Sequence, residues 1–298
     1  MTKPLITILT PTYNRASTLP KLYNSLLQQN NFDFEWLIVD DGSTDETKNI
    51  ISEYQKVTTQ FCIKYIFQNN HGKHYALNLG IKNIDTDLTF IVDSDDSITP
   101  NAIDIIRDRF YSQQNLTEIC GFSFLRATPD NILLSNKKFP YDGYATSYLE
   151  SRELLGITGD TAEVFITRIL KQYPFPEFKN EKFLSEDIVW VKMSEHYKLL
   201  FYNEVIYISD YLDDGLTRNR RKNNWNSPKG CMFRGKILLE SKKIPKKRKY
   251  KWGLFYDVYG LRAGYSAKQL IRKKRSIYTI SMIIPAKLLF FKWKNNFK

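Results

Sequence analysis

Three groups of polar residues follow directly on apolar runs in the first third of the chain. They are Pro11-Thr12-Tyr13-Asn14-Arg15 after Leu5–Thr10, Asp40-Asp41-Gly42-Ser43 after Phe34–Val39, and Asp93-Ser94-Asp95-Asp96 after Leu88–Val92. A buried strand ending in two or three carboxylates is electrostatically unfavourable unless a cation or hydrogen-bond donors compensate. Asp93, Asp95 and Asp96 are hard oxygen ligands suited to Mg2+ or Mn2+, ions that also grip phosphates. Each group has a plainer reading on its own. Asp40 to Ser43 is also good turn and helix-cap sequence, and Asp93 to Asp96 is also a solvated loop before a helix begun by Pro100. Recurrence at successive strand ends favours one shared site.

The intervening segments predict the scaffold. Ser17 precedes a helix with Leu19, Leu22 and Leu26 at helical spacing, and Ser43 with Glu46 has the form of a capping box before a helix carrying Ile50, Ile51 and Tyr54. Cys62–Phe67 reads as a third strand and Tyr75–Ile84 as a helix. Strands alternating with helices at these lengths predict an α/β fold, Rossmann-like, with a mixed, mostly parallel central sheet. Ligands of such sheets sit at the carboxyl ends of the strands, where the polar groups lie.

The second half is less regular. Ile119–Phe124 reads as a strand, Asn131–Tyr148 as a loop, Glu163–Leu170 and Ser185–His196 as helical or mixed, and Leu199–Tyr202 and Val205–Ile208 as short strands. Beyond residue 215 the composition turns basic and aromatic, which divides the chain into a domain at 1–215 and a basic, helical extension at 216–298. Arg272-Lys273-Lys274-Arg275 precedes an apolar stretch, Ile277–Phe291, broken by Pro285 and Lys287 and followed by Trp293. Such a segment suits contact with a membrane surface, Trp293 lying at the interface, and equally suits a helix packed on the domain with its charges in water.

In order and spacing, a set of motifs resembles the family 2 glycosyltransferases, inverting enzymes of the GT-A fold, over roughly the first 210 residues. These are Thr10 to Arg15, Val39-Asp40-Asp41-Gly42-Ser43, Asn70-His71-Gly72-Lys73 with Asn78, Val92-Asp93-Ser94-Asp95-Asp96, and Glu186-Asp187. The resemblance implies a nucleotide-sugar donor, with UDP favoured through Asp41. It places Pro11, Thr12, Tyr13 and Arg15 around the nucleoside, Asp41 at the uracil edge supported by Asp40, and Lys73 and Asn78 along the nucleotide. Asp93 and Ser94 then fall at the ribose or metal, Asp95 on Mn2+ or Mg2+, and Asp96 beside both or at the acceptor. Asp160, in Gly159-Asp160-Thr161, becomes an acceptor contact, although a turn fits it equally. The base is Asp187, with Glu186 as the substitute. Without the resemblance, this pair reads as favourable acids in a helix first turn capped by Ser185. His71 and His74 read as packing or pocket-wall residues, and Asn70 equally as the cap of a helix.

The implied acceptor is a glycan or lipid-linked sugar of a bacterial surface polysaccharide. Formal charge of +12 and a pI near 9.3 call for an anionic partner. The basic runs show no recognition-motif spacing, so no nucleic acid is expected. A nucleotidyltransferase on a similar sheet remains an alternative, without a Walker lysine or G-x-G-x-x-G turn after the first strand. Three scattered cysteines and no long apolar run predict a cytoplasmic protein, peripheral at most at the inner face of the membrane. Tyr211 to Thr217 and the basic run Thr217 to Lys222, the latter a candidate loop over the diphosphate, complete the notable segments.

Overall fold

Every residue of strand β1 (Ile6–Thr12) is buried, as a β-branched and apolar run in the middle of a sheet requires. The computed structural model describes residues 3–209 and 220–296. Two compact units are resolved, one of residues 3–174 with 196–209, the other of residues 175–195 with 220–296. Tyr211 to Thr217 and the first half of Thr217 to Lys222 lie outside the described residues, and Arg220 to Lys222 are helical.

The first unit carries β1, β2 (Phe34–Asp40), β3 (Cys62–Phe67), β4 (Leu88–Ile91), β5 (Ser97–Ile98), β6 (Ile119–Ala127), β7 (Tyr144–Thr146), β8 (Thr161–Ile166) and β9 (Lys198–Ile208). They form one sheet in the order β3-β2-β1-β4-β8-β6-β9-β5, with β7 also paired to β9. Strands β1 to β4 run parallel, β6 and β9 share that direction, and β5, β7 and β8 oppose it. This is the mixed, mostly parallel α/β sheet expected. Its helices are α1 (Leu19–Leu27), α2 (Thr47–Val57), α3 (Lys73–Lys82), α4 (Ala102–Tyr111), α5 (Tyr148–Glu153) and α6 (Thr167–Leu170).

Several local expectations need correction. Helix α1 begins after Thr18, not Ser17, with Pro20 in its first turn. The capping box at Ser43 and Glu46 does not form, because the Ser43 hydroxyl accepts the Asn14 amide at 2.8 Å and the helix starts only at Thr47. Gly72, not Asn70, stands at the N-cap of α3. Pro100 lies one residue before the Asn101 N-cap of α4. Residues Glu163 to Ile166 are strand, with the helix confined to α6, and the two short strands near residue 200 are one strand, β9. The 131–148 loop contains β7.

The second unit holds α7 (Asp187–Met193), α8 (Arg220–Asn226), α9 (Pro228–Glu240), α10 (Lys246–Arg262), α11 (Ala267–Lys273) and α12 (Ile277–Asn296). Glu186, not Ser185, occupies the N-cap of α7. Helix α12 runs through Pro285. The lost N–H withdraws one bond from the Ser281 carbonyl, whose residue is exposed to water. Trp293 is half-buried, its ring 6.1 Å from Tyr259 and 6.2 Å from Trp225. At Gly253 of α10, a Cβ would lie 2.4 Å from the Tyr278 carbonyl oxygen of α12, so the two helices meet backbone to backbone there. Among the described residues no helix is long and apolar enough to cross a membrane.

Candidate functional site

The carboxyl edge of the first unit's sheet gathers the motifs. Parallel β1, β2 and β4 end at Thr12, Asp40 and Ile91, and β8, running the other way, begins at Thr161 beside the end of β4. Asp160, exposed, therefore falls at the same edge as Asp93. Pro11 and Thr12, predicted as loop, are the buried last residues of β1, and Tyr13 just after them is 46% exposed. Asn14 adopts φ 50°, which a short amide side chain tolerates.

The two aspartates of the second motif are structural braces. Asp40 accepts the Ser43 amide at 2.8 Å and the Tyr65 hydroxyl at 2.9 Å. Asp41 accepts Gln68 Nε2 at 2.6 Å and the amides of His71 and Gly72 at 2.9 and 2.7 Å. Both are buried. Gly42, at φ 86°, has no room for a side chain, since a Cβ would stand 2.7 Å from the Asn70 nitrogen. Asp41 thus clamps the turn after β2 to the start of α3.

That clamp delivers Lys73, first residue of α3, to the third motif. Its Nζ lies 2.5 Å from Asp93 Oδ1, and Arg15 Nη2 lies 3.8 Å from Asp95 Oδ2. All three strand-end clusters are therefore brought together. Asn78 is half-buried in the second turn of α3, and Ser94 is buried.

The charges there are unequal. Burial raises the Asp93 pKa, but Lys73, Arg126 and Arg15 outweigh it and hold the carboxyl below its usual range. At Asp95, burial and the Asp93 charge prevail over Arg15 and push the pKa up. Burial and Asp93 likewise raise Asp96, to about 6. Asp96 accepts Tyr207 Oη at 2.7 Å and Ser209 Oγ at 2.9 Å, and Tyr207 Oη accepts the Asp93 amide at 2.9 Å.

Sequence reasoning missed Arg126, Tyr207 and Glu163. Arg126 stacks 3.9 Å over the Tyr207 ring, and its Nε donates to the Thr161 carbonyl at 2.8 Å. Burial raises the Glu163 pKa, partly offset by Arg126 and Arg152. A cation in the apolar run of β6 is the signal that would have found the group.

Among the described residues, no three His, Cys, Asp or Glu side chains converge as a metal cage. Mg2+ or Mn2+ bound with a phosphate substrate takes only one or two carboxylates, however. Asp95, under-compensated in charge and half-buried, and Asp93 beside it fit that requirement.

In the second unit Asp187 opens α7. Arg234 Nε of α9 lies 2.9 and 3.0 Å from its two carboxylate oxygens, and the guanidinium Nη2 also donates to Oδ2. The guanidinium sits over Trp252 and Phe255, at 5.0 and 5.7 Å. Burial raises the Asp187 pKa, but Arg234 outweighs it and holds the carboxyl below its usual range. Glu186 stands at the helix N-cap.

The sequence profile of glycosyl transferase family 2 matches residues 7–127. The chain is 24% identical over 254 residues to the GalNAc(5)-diNAcBac-PP-undecaprenol beta-1,3-glucosyltransferase of Campylobacter jejuni, an alignment covering 83% of this chain and 78% of that protein. In fold it is similar to S. aureus TarS 1-349 in complex with UDP-GlcNAc, with a TM-score of 0.57 and 18% identity, covering 94% of this chain and 79% of that one. It is also similar to the mannosyltransferase PcManGT of Pyrobaculum calidifontis in complex with GDP-Man and Mn2+, with a TM-score of 0.57 and 14% identity, covering 98% and 84%. The motifs at the sheet edge fall within the region that the family 2 profile matches, residues 7–127, and the likenesses to TarS and PcManGT show the GT-A fold of glycosyltransferases.

Proposed function

We propose that the protein moves a sugar with inversion from a nucleotide-sugar, a UDP-sugar first, to a hydroxyl of a glycan or lipid-linked acceptor in bacterial surface polysaccharide synthesis. One observation carries the donor site: Lys73 and Arg15 meet Asp93 and Asp95 at the carboxyl edge of the sheet. Two cations paired there with carboxylates supply both what a diphosphate needs and what a metal needs. Complexes of TarS with UDP-GlcNAc and of PcManGT with GDP-Man support a nucleotide-sugar as donor, and the undecaprenol-linked acceptor named for the Campylobacter relative supports the acceptor class.

In this reading Tyr13, exposed on the loop after β1, meets the nucleobase, with Pro11 and Thr12 as the wall behind it. Asp41 meets the uracil edge with Asp40 supporting it, both also holding their turn, and Asn78 lines the nucleotide side of α3. Asp93 with Ser94 faces the ribose, and Asp95 with Asp93 would hold Mn2+ or Mg2+. That ion, when bound, supplies Lewis-acid stabilisation of the leaving diphosphate. Lys73, released from Asp93 by a competing phosphate, adds a second positive charge. Asp160 and Asp96 are assigned to the acceptor side.

In the transfer, the acceptor oxygen bonds to the anomeric carbon, the bond to the diphosphate breaks, and the electron pair leaves with the nucleotide. The acceptor proton goes to a carboxylate. Asp187 takes that role and Glu186 assists; the assignment rests on the Glu186-Asp187 motif alone. Arg234 keeps Asp187 ionised, hence able to accept a proton at neutral pH.

The test is thermal stability with UDP, GDP and CMP, each with and without Mn2+, in the wild type and in Asp95→Ala. A ligand that binds only the native state raises the melting point by mass action. A UDP shift that needs Mn2+ and disappears in Asp95→Ala is expected. No shift with any nucleotide in folded protein would remove the donor assignment.

A further inference from the structure

Helix α12 is apolar on two opposite sides. One side is used within its own unit: Ala286 is fully buried, and Phe290 and Trp293 pack against Trp225 and Tyr259. On the other side Ile277, Ile280, Ile284, Leu288 and Phe291 follow one another at steps of three, four, four and three residues, which is one stripe along a helix. All five are exposed, between 46% and 69%. An apolar stripe of this length, about 20 Å along the axis by helical rise, is not left bare by chance.

The charges around the stripe decide what covers it. Lys287 and Lys292 flank it on either side and Lys294 continues it, all exposed, while Arg272, Lys273 and Arg275 stand exposed just before its start. From residue 258 to residue 298 the chain has ten Lys or Arg residues and no Asp or Glu. A second copy seated on the stripe would bring lysines against lysines, with no acidic group of α12 to pair them. A surface that is apolar beneath and anionic at its rim matches both features. We propose that α12 lies in the plane of an anionic lipid surface, with Ile277, Ile280, Ile284, Leu288 and Phe291 entering the acyl boundary and its lysines reaching the headgroups. The inference goes beyond the transfer reaction and depends on α12 alone, so it survives if the donor assignment fails.

The experiment is co-sedimentation of the full chain with vesicles of phosphatidylcholine alone or mixed with phosphatidylglycerol, in a salt series. Binding is expected only to the mixed vesicles, weakening as salt rises. Ile284→Asp with Leu288→Asp should weaken it by about tenfold or more. These side chains face solvent, so the variant should keep the wild-type melting curve and nucleotide response. Lys287→Glu with Lys292→Glu, which leaves the stripe intact, should remove the preference for phosphatidylglycerol. Failure of the wild type to bind mixed vesicles would overturn the proposal, as would full binding by the double aspartate variant. A lipid-free dimer that this variant splits into monomers would assign the stripe to a second copy instead.

Discussion

Both units bury carboxylates, and they neutralise them by different means. At the sheet edge three carboxylates are each held by several short-range donors: three for Asp41, two for Asp40, and two hydroxyls for Asp96. In the helical unit Asp187 depends mainly on one arginine, while Asp257 of α10, fully buried, has no hydrogen-bond partner for either oxygen among the described residues. Backbone amides come free at loops and helix starts, and the sheet edge is built from these. Helix interiors have already spent theirs, so a buried acid there needs a side-chain partner or must stay protonated. Burial pushes Asp257 up to about 7.

The sharpest test of the contrast is Asp187→Asn, which keeps shape and removes the proposed base. Turnover should fall by roughly 10²–10⁴-fold, measured as sugar transfer, while the UDP-induced melting shift persists. Loss of that shift would show Asp187 to be structural. Next comes Arg234→Met. Leaving Asp187 buried without its paired guanidinium should destabilise the chain by about 3–5 kcal/mol, read from denaturant unfolding, whereas pairs at the surface contribute far less.

Asp257→Asn probes the opposite case. The folded pKa near 7 lies above the unfolded value, so Asp257 is neutral in the fold at low pH and its burial becomes unfavourable as pH rises from about 4 towards 7. The variant should match the wild type at pH 4 and exceed it by about 1–3 kcal/mol at pH 8. A gap that does not depend on pH would mean Asp257 finds a counter-ion. The smallest effect belongs to the redundant edge: Tyr207→Phe removes one donor from Asp96 and one acceptor from the Asp93 amide, while Ser209 remains. A loss of about 1–2 kcal/mol is expected in unfolding.

Legibility in the sequence followed the range of each interaction. The strand-end clusters and the order of β1 to β4 were readable because an apolar run and the polar turn that follows it are neighbours in the chain. The pairing of Lys73 with Asp93 was not, since it depends on Asp41 clamping the start of α3. Arg126 and Tyr207 were missed for the same reason: β6 and β9 are brought side by side by sheet order, with no local pattern. Helix caps were misread where a loop partner competed, as when Asn14 took the Ser43 hydroxyl. The basic turn in composition after residue 215 marks the C-terminal helices, but residues 175–195, with Asp187, cluster with them too. No compositional change announces that, because α7 is as apolar as a sheet-covering helix.

The notch at Gly253 has a further consequence. A helix apolar on two sides has a rotational degeneracy: burial alone would be nearly as well satisfied with the other side turned inward. Backbone contact between Gly253 and the Tyr278 carbonyl lifts that degeneracy, and the Thr279 hydroxyl, donating to the Lys274 carbonyl at 2.7 Å, pins the same turn. The azimuth of α12 is thus selected by steric keying at its first turn, and a single methyl group at residue 253 is enough to unlock it.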